Sequence, residues 1–112
     1  MAQPEIGEPA PDFALATDAG RDFVLSDHRG EFVVLFFYAT DGTESCTNEN
    51  LAFSALKPEF DAQRTLLVGI SPDSVADHAK FRGKYGLRSI MAADPDHVAI
   101  GAYGVWGPKK FM

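Results

Sequence analysis

Glu31–Phe53 reads EFVVLFFYATDGTESCTNENLAF. Phe32 to Ala39 is an unbroken apolar run of strand length, rich in valine and aromatic residues. Such a run marks a strand covered on both faces, so it is read as a central strand of a buried sheet. A short polar loop follows, then a helix over about Cys46–Phe60, in which Leu51, Phe53, Leu56 and Phe60 can share a buried side. Pro58 falls inside that span and predicts a kink or a fresh helical turn near Ala55–Lys57.

Downstream, TLLVGIS (Thr65–Ser71) is a second buried strand. SPDSVADHAKFRGKYG (Ser71–Gly86) predicts a helix with a proline near its first turn and Gly86 as its stop. SIMAAD (Ser89–Asp94) is a short strand, and DPDHVAIGAYG (Asp94–Gly104) a short helix. Strands alternating with helices predict βαβ units and a parallel sheet, with right-handed crossovers placing helices on both faces. Upstream, Pro4, Pro9 and Pro11 make an extended lead-in. FALATDAGRDFVLSD (Phe13–Asp27) reads as strand, turn at Gly20, strand. No internal repeat or low-complexity tract appears.

The 112 residues fit one domain, and the 46% hydrophobic share with nine phenylalanines supplies one core. A net charge of −6 without any Lys/Arg run argues against nucleic acid as a partner. The longest apolar run is far too short to span a bilayer. MAQPEIGEPAPDF has neither the basic nor the apolar region of a signal peptide. One cysteine excludes an internal disulfide framework and a CxxC pair. It suits a reducing compartment, and a cytoplasmic setting is expected.

That cysteine, Cys46, follows a strand and opens a helix, at the carboxyl end of a parallel strand where α/β sites form. A helix N-terminus offers unpaired N–H groups and partial positive charge, both favouring a thiolate. An ordinary cysteine, with pKa about 8.5, is only about 3% thiolate at neutral pH. Lowering the pKa to about 6 raises that to about 90%, a roughly 30-fold gain. Fast chemistry needs more, so donors must also meet the charge that develops as bonds break. Thr43 is a candidate donor, as are backbone N–H groups near Ser45 and Cys46. Asp41, Glu44 and Glu49 work against the anion, so a cation from elsewhere is expected if Cys46 is catalytic. The bland alternative is an inert buried thiol.

Other residues read less sharply. His28, His78 and His97 lack ligand-like spacing and are taken as surface or structural, so no metal is expected. Tyr38, at the strand's end, either lines a pocket or packs. Glu49 is read as a first-turn helix residue. GAYGVWG does not fit a phosphate-binding loop.

Taken together these stretches resemble the peroxiredoxins, specifically the bacterioferritin-comigratory or Q type. The signature is a Pro-x-x-x-Thr-x-x-Cys loop after a strand ending in Phe-Tyr. The matching residues run Phe37-Tyr38-Ala39-Thr40-Asp41-Gly42-Thr43-Glu44-Ser45-Cys46-Thr47, then Glu49. GEPAPDFAL, LSDHRGEFVVLFFY, LVGISPDS, HAKFRGKYGL, DPDHVAIGAYGVWG and KKFM match in order and spacing, over nearly the whole chain. The resemblance implies an α/β, thioredoxin-like fold, a central sheet flanked by helices, and reduction of hydrogen peroxide or organic hydroperoxides. Cys46 would be the peroxidatic nucleophile and Thr43 would hydrogen-bond peroxide or thiolate. The Ser45 backbone and Tyr38 would contact substrate, with Glu49 behind them. No metal or organic cofactor is implied. The reductant would be thioredoxin, glutaredoxin or a small thiol, and the protein a monomer or dimer.

The chain departs from that pattern at three places. The family proline falls at Ala39, which shields a sulfenate less. Many members carry a resolving cysteine five residues after the first, where this chain has Leu51, so a one-cysteine mechanism is expected. The family continues past Met112 into a further strand pair and a final helix that bear its active-site arginine. Arg21, Arg29, Arg64, Arg82 and Arg88 match no such position, and Trp106 and Phe111 are expected to pack against that continuation. The competing reading is a non-catalytic or redox-sensing thioredoxin-fold module. A disulfide oxidoreductase is disfavoured by the absent CxxC, and a cysteine hydrolase by the lack of a histidine placed as base.

Overall fold

The computed structural model describes residues 3–105; Trp106 and Phe111 lie outside them. A hairpin of β1 (Ala14–Ala16) and β2 (Asp22–Val24) turns at Gly20 as expected. A 3-10 turn at Leu25–His28 leads into β3 (Phe32–Phe37). Then come α1 (Glu44–Ala62), β4 (Thr65–Ser71), α2 (Val75–Tyr85), β5 (Ile90–Ala93) and α3 (Val98–Ala102).

The sheet order is β3-β4-β5, parallel throughout, so the expected βαβ units are present. Period-two alternation sends the two faces of each strand into different cores. Val33, Leu35 and Phe37 of β3 join Val68, Ile70 and Ala92 under the hairpin and α3. Val34 and Phe36 join Leu67 and Met91 under α1 and α2. The strands add in one direction, so two crossovers of the same hand place α1 and α2 on one face. The other face is closed by the hairpin and α3, so the helices on both faces are α1 with α2 against α3 alone.

Two expectations need correction. β3 is packed on both faces, but among the described residues it is the end strand and β4 the middle one. Phe32 is 75% exposed, whereas Leu67–Ser71 of β4 are all buried. An apolar run reports covered faces and says nothing about neighbours along the sheet. The second concerns α1, which starts two residues earlier than predicted and passes Pro58 without interruption. The proline forgoes one i→i−4 bond, and the rest of this long helix continues around it. Leu51 and Leu56 are exposed. The fully buried positions are Thr47, Asn50 and Ser54, flanked by half-buried Cys46, Phe53 and Phe60. Each polar group on this face that bonds does so to backbone: Asn50 Nδ2 donates to Cys46 O (2.9 Å), and Ser54 Oγ accepts from Arg88 N–H (3.0 Å).

α2 is bounded as chain chemistry predicts. Ser74 Oγ accepts from Asp77 N–H (3.1 Å) and Gly86 closes the helix in the left-handed region. Pro72 precedes the cap rather than entering the first turn.

Gly69 shows why a glycine interrupts TLLVGIS. It stands opposite Phe36 in register, and a Cβ there would fall 2.6 Å from Phe36 Cζ. The ring also stacks on Phe53 at 4.2 Å, so it has little room to retreat. Gly69→Ala should therefore destabilise the domain by about 1–3 kcal/mol, as overpacking does. A melting curve superimposable on the parent's would refute that account of the wedge.

Candidate active site

The segment from Tyr38 to Thr43 joins β3 to α1 and sets the sulfur in place. Thr43 is the N-cap residue of α1, in extended conformation, and Cys46 lies in the first turn. The N–H groups of Glu44, Ser45 and Cys46 precede the first intrahelical bond, from Thr47 N–H to Thr43 O (2.8 Å). Thr43 makes no side-chain cap bond. Its hydroxyl instead stands at 3.4 Å from Thr40 O and within reach of the sulfur. At that length the carbonyl is a weak partner, which leaves the hydroxyl free to turn to an anion.

Cys46 is half-buried. Burial pushes its thiol up, and the Glu49 carboxylate adds to that. The Thr43 hydroxyl and backbone hydrogen bonds from Thr40 and Ala39 outweigh both, so the thiol lies below its ordinary value. Two of the groups that lower the thiol are thus in the preceding loop. Ser45 lies exposed in the first turn of α1. Glu49 is exposed and sits in the second turn, because the helix begins at Glu44. Arg82 is committed elsewhere: it grips Asp18 and the carbonyls of Leu87 and Ser89. A cavity of about 380 Å³ opens beside Thr40, Asp41 and Gly42 against Lys80 and Phe81 of α2, and Cys46 is not part of its wall.

Beneath the loop lies a polar network that the sequence reading missed. The Tyr38 hydroxyl donates to Asp41 Oδ1 (2.7 Å). Asp41 N–H donates to Asp73 Oδ2 (2.8 Å), which also accepts from the Ser71 hydroxyl (2.7 Å). His78 Nδ1 is 2.7 Å from Asp41 Oδ2, and its Nε2 is 3.1 Å from Ala92 O. The ring of Tyr38 is buried among Phe36 and Phe81, and burial, followed by the bond to Asp41, pushes its hydroxyl far above the usual range. Gly42, at φ 89°, makes the reversal into Thr43 that a side chain would strain.

His78 is structural, as expected, but it is fully buried and paired rather than on the surface. Its place on the packed face of α2, three and seven residues before Phe81 and Tyr85, was the available signal. His28 stacks on Phe23 (4.9 Å) beside Glu31, and His97 sits at the start of α3. Among the described residues no cluster of His, Cys, Asp and Glu could hold a metal ion, and no helix is long and apolar enough to cross a membrane.

Comparison with known proteins gives the site a context. The AhpC/TSA family matches residues 6–112. Peroxiredoxin Bcp of Bacillus subtilis (strain 168) is 39% identical over 106 residues, covering 95% of this chain and 68% of that protein. A structure of Xanthomonas campestris peroxiredoxin Q superposes with a TM-score of 0.84 at 35% identity, covering 89% of this chain and 63% of that one. A second structure from that organism is of its bacterioferritin comigratory protein, studied for alkyl peroxide reduction in trapped intermediate and ligand complexes. It gives the same TM-score at 34% identity, with 89% and 64% coverage. The chain thus spans about two thirds of the length of the relatives it matches, and its α/β architecture is the thioredoxin-like fold they share.

Proposed function

Since the chain belongs to the AhpC/TSA family, we propose that it is a thiol-dependent peroxidase acting on hydrogen peroxide or organic hydroperoxides through Cys46. The observation that carries this reading is the sulfur's setting. It is partly open to solvent and lies in the first turn of α1, where the Thr43 hydroxyl and the Thr40 and Ala39 backbone hold the thiol below its ordinary value. Those groups lower the cost of the anion in the resting thiol.

In the proposed reaction the Cys46 thiolate attacks the near oxygen of ROOH. An S–O bond forms as the O–O bond breaks; sulfur loses two electrons and becomes sulfenic acid, and RO⁻ leaves to take up a proton as ROH. The Thr43 hydroxyl is placed to donate to sulfur or to peroxide oxygen. Cys46 is the only cysteine of the 112 residues. Within this chain the sulfenic acid is therefore resolved by an external thiol, releasing water and leaving a mixed disulfide. A second thiol then frees Cys46. Thioredoxin, glutaredoxin or glutathione in a reducing cytoplasm fits that role.

The test is titration of Cys46 with a neutral alkylating reagent across pH, together with trapping of sulfenic acid after one equivalent of peroxide. We expect a thiol that titrates below the ordinary cysteine value of about 8.5 and one trapped adduct per chain. A thiol at or above that value with no adduct would favour the non-catalytic module instead.

A further inference from the structure

We propose that His78 is a positioning residue for Cys46, acting through Asp41 to clamp the loop whose peptide groups face the sulfur. The inference rests on the peroxidase reading and names what holds its site together.

Residue 41 is anchored at both its backbone and its side chain. Its N–H is held by Asp73, its Oδ1 by Tyr38 at the end of β3, and its Oδ2 by His78 of α2. His78 is in turn fixed to β5 through Ala92 O. Three groups, from the end of β3, the β4–α2 connection and α2, therefore converge on the residue that follows Thr40, with β5 behind His78, and the Thr40 and Ala39 backbone is among what lowers the Cys46 thiol. The sulfur itself is out of this network, so His78 works on the geometry and not on the reacting atoms.

The clamp depends on a proton. A carbonyl only accepts, so the bond to Ala92 O places a hydrogen on Nε2. Oδ1 of Asp41 is already accepting from Tyr38. One further proton must then lie between Nδ1 and Oδ2, 2.7 Å apart, or a nitrogen lone pair would face a carboxylate. The side chains are 0% and 7% exposed, so water cannot replace that proton's role. The charged groups facing His78 are Asp41 and Asp73, and the titratable one is Tyr38, which stays protonated. Burial pushes the imidazole's pKa down, but the Asp41 bond and charge and the Ala92 carbonyl outweigh it and raise it. A raised folded value means that the clamp is intact at and below the ordinary histidine range. It is lost as pH climbs through the value His78 has in the folded chain. The thiolate grows in the opposite sense.

The experiment is the rate of Cys46 alkylation by iodoacetamide against pH, in the full chain and in His78→Leu, His78→Asn and Asp41→Asn, each checked for a cooperative melt. The parent should show a low thiol midpoint, then a second rise in rate at alkaline pH as the clamp lets go and the less stabilised thiolate becomes the stronger nucleophile. His78→Leu should move the midpoint toward an ordinary cysteine and slow the reaction at neutral pH on the order of tenfold. His78→Asn, which keeps a donor for Asp41 without a titrating ring, should recover most of the neutral rate and lose the second, alkaline step. A folded His78→Leu whose profile coincides with a low parental one overturns the inference while leaving the peroxidase reading intact. If His78→Leu does not fold, an unchanged profile in Asp41→Asn overturns it equally. A parent thiol that titrates like free cysteine overturns both.

Discussion

Replacing Cys46 by serine is expected to reduce peroxide consumption to the rate of the protein-free reaction. Serine is close to cysteine in volume, and Cys46 is only half-buried at the edge of its core cluster, so the fold should be unchanged. What changes is the nucleophile. The donors around the sulfur shift a thiol by an amount that matters because thiols already titrate near neutrality. The same donors leave a serine hydroxyl protonated, and oxygen cannot take the place of sulfur in the oxidation that follows. The check is peroxide decay with a small dithiol as reductant. Retention of half the parental rate would place the chemistry at some other group.

Thr43→Val should lower the second-order rate with peroxide by about 10²–10³-fold, the usual cost of removing one donor to a developing anion. Valine keeps the shape and deletes the hydroxyl. An N-cap threonine ordinarily contributes about 1 kcal/mol to its helix, but Thr43 makes no such bond. The melting temperature should therefore hardly move while activity falls, and Thr43→Ser should restore most of the rate. A variant that loses stability and activity together would mean that the hydroxyl serves the helix rather than the sulfur.

The parts of this protein that were legible in its sequence are those with local causes. The apolar runs Phe32–Tyr38 and Thr65–Ser71, the turn at Gly20 and the stop at Gly86 each carry their reason within a few residues. The strand-loop-helix setting of Cys46 is of the same kind, and so is the nearness of Thr43. The polar groups were not legible, because their partners are remote along the chain. Asp41 meets His78 and Ser54 meets Arg88, each more than thirty residues away. Nothing near Thr47, Asn50 or Ser54 announces that α1 buries them and leaves Leu51 and Leu56 outside. A leucine looks like core on any local count, and only the packed sheet decides which side of the helix it meets.

Two of the groups that hold the Cys46 thiol down, at Ala39 and Thr40, belong to the main chain. Ordinary side-chain exchange at 39 and 40 leaves a peptide amide untouched, so this stretch tolerates drift in its lettering while conserving its electrostatics. Proline is the one replacement that carries no amide hydrogen. Alanine at 39 thus gives up a ring that could screen the oxidised sulfur and keeps a donor that stabilises the reduced one. On the peroxidase reading, that exchange would favour readiness of the reactant over protection of the product.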